Sequence, residues 1–180
     1  MRVIAGSARG VPLRAPKDGG TRPIADRVKE TLFAILGERV PDARVLDLYA
    51  GSGAIGIEAL SRGAVSADFV EHGRAALEAI RRNLDSTRTA DASRVHQSDA
   101  GSYLRTTTDG PFDLVVLDPP YELRAIVAPL QAVVPHLAPG AAVVVKHFWR
   151  TEVPDIDRLA MVRQRRFGET MLTFLELEDG

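Results

Sequence analysis

A chain of 180 residues, 45% hydrophobic and formally −1 at neutral pH, is long enough to bury one compact core with a small appendage and too short for several large domains. It contains no cysteine, which excludes disulfides and thiolate metal sites, and its four histidines (His72, His96, His136, His147) are spread without metal-ligand spacing, so no metal is expected. No run approaches the roughly 18 apolar residues of a membrane span, and the N-terminus lacks the long apolar stretch of a signal peptide, so a cytoplasmic protein without a membrane partner is expected.

The charge is unevenly spread. Residues 1–30 hold seven basic groups (Arg2, Arg9, Arg14, Lys17, Arg22, Arg27, Lys29) against three acidic ones (Asp18, Asp26, Glu30), a formal +4 that leaves the rest of the chain at −5. Residues 3–5 and 11–13 flank the turn-rich Gly6-Ser7-Ala8-Arg9-Gly10, which predicts a small hairpin projecting from the body, and Pro12 restricts its second strand to an edge. A basic arm on a mildly acidic body is an electrostatic footprint for a polyanion, although an arginine-rich solvated surface has the same composition. After a loop over 15–22, Pro23 suits a first helical turn, Val28, Leu32, Ile35 and Leu36 form an apolar stripe, and Gly37 ends the helix.

From residue 44 strand and helix patterns alternate: strands over 44–48, 67–71, 94–98, 112–118 and 141–147, with helices over 54–62, 74–85, 100–105 and 123–136 between them. The tail differs, because 158–167 and 170–176 are joined only by Gly168-Glu169 and read as an antiparallel hairpin. The expected fold is α/β and Rossmann-like: a seven-stranded mixed sheet closed by that hairpin, with the N-terminal extension (1–22) as a separate unit from the main domain (23–180).

Gly51-Ser52-Gly53-Ala54-Ile55-Gly56 follows the first of these strands and opens a helix, the arrangement that brings backbone N–H groups close to a nucleotide-like ligand. It satisfies the dinucleotide fingerprint literally, with Glu71 at the end of the next strand where a ribose-binding acid would stand. Two details favour S-adenosylmethionine (SAM) over NAD. Asp47 would repel a pyrophosphate but attract the ammonium of a methionine group, and the later Asp118-Pro119-Pro120-Tyr121 loop has no role in hydride transfer. Asp47 is therefore assigned to the methionine ammonium, Ala50, Gly51, Ser52 and Gly53 to the cofactor-binding loop, and Glu71 to the two ribose hydroxyls, with an exposed strand-end acid as its plain alternative. Asp99 and the Ala100 N–H are assigned to the adenine, Asp99 being equally suited to cap the helix that follows.

Asp118-Pro119-Pro120-Tyr121 ends a strand that reads as buried, Phe112-Asp113-Leu114-Val115-Val116-Leu117, and opens onto the ligand cleft of a parallel sheet. An exocyclic base amine is a poor nucleophile, because its lone pair is delocalised into the ring. It needs orientation and acceptors for its hydrogens, which the Asp118 carboxylate and the Pro119 carbonyl supply while Pro120 stiffens the loop and Tyr121 stacks on an extruded base. Asp118 thus serves both the donor side and the acceptor side of a methyl transfer from SAM to a nucleobase amine.

Thr21-Arg22-Pro23 with Asp26-Arg27-Val28-Lys29-Glu30, the Asp47 to Gly53 loop running into Glu58-Ala59-Leu60-Ser61-Arg62-Gly63-Ala64, and Asp118 to Tyr121 together resemble the RsmD family. These are bacterial methyltransferases that modify one guanine N2 of 16S ribosomal RNA. The resemblance covers nearly the whole chain and implies a SAM-binding body, an RNA-contacting N-terminal extension (Arg2, Arg9, Arg14, Lys17, Arg22, Arg27), and a substrate presented in the assembled or assembling small ribosomal subunit. Tyr49, where phenylalanine is expected, and Glu71-His72-Gly73-Arg74 are mild departures. A DNA adenine-N6 methyltransferase would share the Asp118 loop but needs a target-recognition domain for which there is no room. A protein-glutamine methyltransferase would place Asn at 118. A noncatalytic RNA-binding module would use only the arm. No long apolar surface stripe is evident, so a monomer is expected.

Overall fold

The computed structural model describes residues 1–17, 24–119 and 124–178. Arg22, Pro120 and Tyr121, and with them the predicted Pro23 helix start, lie outside the described residues.

Five parallel strands carry the body: β1 (Arg44–Leu48), β2 (Ser66–Glu71), β3 (Ser93–Gln97), β4 (Phe112–Leu117) and β5 (Leu137–Phe148). The antiparallel pair β6 (Leu159–Phe167) and β7 (Thr170–Leu177) extends the sheet, giving seven strands in the order β3-β2-β1-β4-β5-β7-β6. The central strands are apolar at consecutive positions because both faces are covered. On one face Val45, Phe69, Val116, Val144 and Phe174 pack under α1 (Asp26–Leu36), α2 (Ala54–Ser61) and α3 (Arg74–Thr87). The alternate residues Leu46, Val70, Leu117, Val145 and Leu175 pack under α4 (Ala100–Thr106) and α5 (Arg124–Val133).

Two features differ notably from expectation. The last parallel strand begins at Leu137 instead of 141, because its pairing with β4 slips between Phe112 and Leu114 and absorbs Pro139 and Gly140 as an irregularity. The N-terminal segment does form a hairpin, with Val3 N–H donating to the Val11 carbonyl at 3.0 Å and a single bridge from Arg2 to Pro12. It does not project: Val3, Ala8 and Leu13 are buried in the main core beside α1 and α2.

Glu58 of α2 explains the docking. Its carboxylate is fully buried and accepts from Ile4 N–H (2.8 Å), Ala5 N–H (3.0 Å), Arg62 Nε (2.8 Å) and Lys29 Nζ (3.1 Å), which fills its four acceptor positions. Lys29, also fully buried, donates to the Arg2 carbonyl. Ser61 accepts from Ala8 N–H and donates to the Ala5 carbonyl. Gly6, at φ +83°, lies so close to the Ser61 carbonyl that any Cβ would stand 1.7 Å from its oxygen.

Candidate active site

The strand order reverses direction between β1 and β4, and ligands of such sheets bind beyond the carboxyl ends of the strands at that point. Leu48 pairs with Leu117, and Asp118 N–H donates to the Leu48 carbonyl at 3.3 Å. The glycine loop and Asp118 therefore leave the sheet side by side, joining two sequence motifs some 70 residues apart.

Left-handed backbone at Tyr49 (φ +61°), Gly51 (φ +57°) and Gly53 (φ +75°) folds the loop over the sheet edge. The aromatic Tyr49 in that region is a strained residue of the kind that gathers at functional sites. Gly56 brings α2 hard against β2, since a Cβ there would stand 2.4 Å from the Phe69 ring. Two carboxylates hold the loop from below. Asp47, 1% exposed, accepts from Gly56 N–H at 3.0 Å and so caps the first turn of α2 from a neighbouring strand. Glu71 accepts from Gly51 N–H (3.0 Å), His72 N–H (2.8 Å) and Gly73 N–H (2.7 Å). One of its four acceptor positions is left, so two ribose hydroxyls require one backbone donor to yield. The turned-up loop and the strand-end acid have the shape that fits an adenosine-type ligand, and Glu71 clamps the loop through Gly51 N–H.

Burial pushes the Asp47 carboxyl up to about 8, the Gly56 N–H opposing this and the charges of Asp118 and Glu71 adding to it. It is thus mostly protonated near neutrality, and the simple charge attraction expected of it is correspondingly weak. Because the folded protein keeps a proton that the unfolded chain has lost, stability from this group is complete below pH 3.8 and declines as pH rises to about 8. Asp47→Asn, which retains an acceptor for Gly56, is expected to flatten that decline and to exceed the native protein in stability at pH 8 and above, by on the order of 1–3 kcal/mol. Thermal unfolding from pH 4 to 9 checks this, and parallel curves for the two proteins would refute it.

Asp99 stands past β3 at the same edge and caps α4, its Oδ1 accepting from Ser102 N–H at 2.9 Å. Hydrogen bonds from Ser102 lower its pKa and keep it ionised. Ala100 is buried at the start of that helix. Behind it, the fold assembles Asp68, His96 and Asp109, which sequence spacing does not reveal, with ligand atoms within 4.8 Å of one another. They are engaged in pairs: His96 Nε2 with Asp68 at 2.7 Å, and Asp109 with Arg94, Tyr103 and Thr107.

Sequence reasoning missed Lys146. Its Nζ grips both oxygens of Asp118, at 2.5 and 2.7 Å, from the end of β5. Desolvation raises the Asp118 pKa while the Lys146 charge and hydrogen bond pull it down. A lysine closing the apolar run Ala141 to Val145 was the available signal, since a cation there needs an acid to accompany it. Lys146 occupies two of the carboxylate's four acceptor positions and leaves two for an incoming N–H group.

Among the predicted RNA contacts, Arg2, Arg9, Arg14, Lys17 and Arg27 are exposed, whereas Lys29, counted with them in the basic segment, is wholly buried. Arg2 lies 3.6 Å from Asp26. The segment also reaches the glycine loop: Asn83 of α3 accepts from Arg14 N–H and donates to the carbonyls of Arg14 and Ser52.

This strand order, with a glycine loop after β1, acids after β2 and β3 and an Asp-Pro turn after β4, defines a SAM-dependent methyltransferase of the Rossmann-like class. The chain belongs to the family described as "Conserved hypothetical protein 95", the RsmD family, whose model matches residues 1–176. It is 35% identical over 175 residues to "Putative rRNA methyltransferase YlbH" of Bacillus subtilis, covering 94% of this chain and 95% of that one. It is 43% identical over 121 residues to "Ribosomal RNA small subunit methyltransferase D" of Escherichia coli, a match spanning 67% of this chain and 60% of the relative. Among solved structures, "Putative methyltransferase yhhF" of Escherichia coli superposes with a TM-score of 0.86 at 34% identity, covering 99% of this chain and 98% of that one. An RNA methyltransferase of Salinibacter ruber in complex with S-adenosyl-L-homocysteine shares the fold at 19% identity, with a TM-score of 0.68 over 88% of this chain and 95% of that one. No helix among the described residues is long and apolar enough to cross a membrane.

Proposed function

We propose that this chain methylates the exocyclic N2 of one guanine in 16S rRNA, presented in the assembled or assembling small ribosomal subunit. The observation that carries the reading is the Asp118 carboxylate, held by Lys146 at the strand reversal beside the glycine loop. The name of the Bacillus relative supports ribosomal RNA as the substrate, and that of the Escherichia relative supports RNA of the small subunit.

SAM supplies an electrophilic methyl group. The chain's own residues prepare the acceptor. Asp118, whose carboxyl pKa burial raises and Lys146 pulls back down, takes one hydrogen of the base amine on an unoccupied acceptor position, and the Pro119 carbonyl takes the other. Fixing the nitrogen in line is the larger contribution, because the amine's lone pair must leave conjugation as it attacks. The nitrogen then sheds a proton to Asp118 or to water, so a strong general base is not required. Tyr121 stacks on the extruded base, and Arg9, Arg14, Lys17, Arg22 and Arg27 bind phosphates that position the RNA.

Mass spectrometry of 16S rRNA nucleosides from cells lacking the protein tests this reading. The expected result is loss of one N2-methylguanosine, restored by the native chain but not by Asp118→Asn. An unchanged nucleoside profile would overturn it.

A further inference from the structure

Beyond the strand that supplies Lys146, the chain runs through Phe148 into Trp149, leaving the sheet at the same edge as Asp118. The indole of Trp149 lies against two guanidinium groups, that of Arg166 at 3.7 Å and that of Arg150 at 4.8 Å from the ring centroid. Its backbone N–H is fixed to the Glu169 carbonyl at 2.9 Å, in the turn of the terminal hairpin. Arg163 and Arg165 stand on the edge strand β6, and all four arginines are exposed. The register places Arg165, Leu172 and Lys146 in one row across β6, β7 and β5. With strands about 4.8 Å apart, the Arg165 backbone is roughly 10 Å from that of Lys146.

Elsewhere some arginines are neutralised, while others, such as Arg9, Arg14 and Arg27 of the N-terminal segment, stand without an ion pair among the described residues. Arg2, Arg39, Arg62 and Arg94 each pair with a carboxylate. Among the described residues, Arg150, Arg163, Arg165 and Arg166 make no ion pair; the polar partners of Arg165 and Arg166 are the carbonyls of Gln164 and Gly168. Charge on an edge strand blocks edge-to-edge pairing, and these residues serve that end too. That purpose does not call for an indole ordering two guanidinium planes beside the catalytic edge. Ordered guanidinium forks free of carboxylates match phosphate oxygens.

We infer that the Trp149–Arg150–Arg166 stack, with Arg163 and Arg165 on the alternate face of the same edge strand, forms a second phosphate-binding rim that holds the RNA backbone beside the target nucleotide, across the active site from the N-terminal segment. This rests on the RNA-substrate reading above and adds a contact surface to it.

The test measures binding of small ribosomal subunits from cells lacking this protein, and of their rRNA, at several salt concentrations, together with methyl transfer, for the native chain, Arg163→Gln/Arg165→Gln, Arg163→Glu/Arg165→Glu and Trp149→Ala. SAM affinity and melting temperature are followed as controls on folding. The glutamine pair is expected to make the slope of log affinity against log salt shallower by between one and two, with affinity at 0.1 M salt reduced on the order of tenfold. The glutamate pair is expected to lose more. Trp149→Ala keeps every charge and is expected to bind more weakly at an unchanged slope. If the native chain binds and methylates the RNA while both double variants keep its affinity and slope, this surface is refuted and the substrate reading stands. If the native chain shows no salt-dependent RNA binding, both fall.

Discussion

Asp118→Ala is expected to lower kcat on the order of 10²–10⁴-fold while leaving SAM affinity within a few-fold of the native value. The separation follows from the geometry. The glycine loop is held by Glu71 through Gly51 and by Asp47 through Gly56, and neither bond involves Asp118. Removing the carboxylate also leaves the Lys146 ammonium, on a residue 8% exposed, without its anion, so some loss of stability accompanies the loss of rate. Asp118→Asn distinguishes the two effects, since its carbonyl still accepts from Lys146 while the negative charge and the proton acceptor are gone. It is expected to be nearly as slow as the alanine variant and appreciably more stable. Lys146→Met acts in the opposite sense on the same group. Burial continues to raise the Asp118 pKa, the opposing charge is absent, and the acid limb of the kcat profile moves to higher pH. Asp47, whose own pKa responds to Asp118, is the neighbouring acid that takes part in that limb, and the Lys146→Met profile is best read beside that of Asp47→Asn. Native-like turnover in Asp118→Ala would remove the basis of the proposed mechanism.

Glu58→Ala is expected to cost about 3–5 kcal/mol of stability, the largest effect of any single change away from the active edge. It strands the fully buried Lys29 and removes the acceptor of two backbone N–H groups, at Ile4 and Ala5. Lys29→Met should be milder, because Glu58 would retain Arg62 and both backbone donors. Since the N-terminal segment is anchored here and also touches the glycine loop through Asn83, Glu58→Ala should loosen SAM binding more than Lys29→Met does. Urea unfolding of the three proteins measures the ranking. A loss below about 1 kcal/mol for Glu58→Ala would show that the segment does not depend on this carboxylate.

What was legible in the sequence was local. Arg44–Leu48 as a strand, the glycine turn after it, and Asp118 at the end of β4 each follow from a short run of residues whose spacing has one physical meaning. Gly168-Glu169 likewise marked the hairpin that closes the sheet. What was hidden depends on partners far apart in the chain. Lys146 meets Asp118 across 28 residues, and Glu58 meets Ile4 across 54, so no window of sequence shows either bond. The arm's turn residues and charges are conspicuous and suggest projection, whereas its docking rests on the burial of Val3, Ala8 and Leu13 and on bonds to Ser61 and Glu58. Those two residues, with Lys29, lie within the segments that carried the family resemblance, which gives that resemblance a structural reason: they fasten the N-terminal segment to the body. Arg166 of β6 read only as a strand residue until the fold set it beside Trp149.

Transfer of labelled methyl from SAM to small ribosomal subunits purified from cells lacking this protein, with naked rRNA and genomic DNA in parallel, tests the central claim most directly. Label is expected in the ribosomal substrate, recovered as N2-methylguanosine and absent with Asp118→Asn. Label recovered as N6-methyladenine in DNA, or none in ribosomal substrate from a chain that binds SAM, would contradict it.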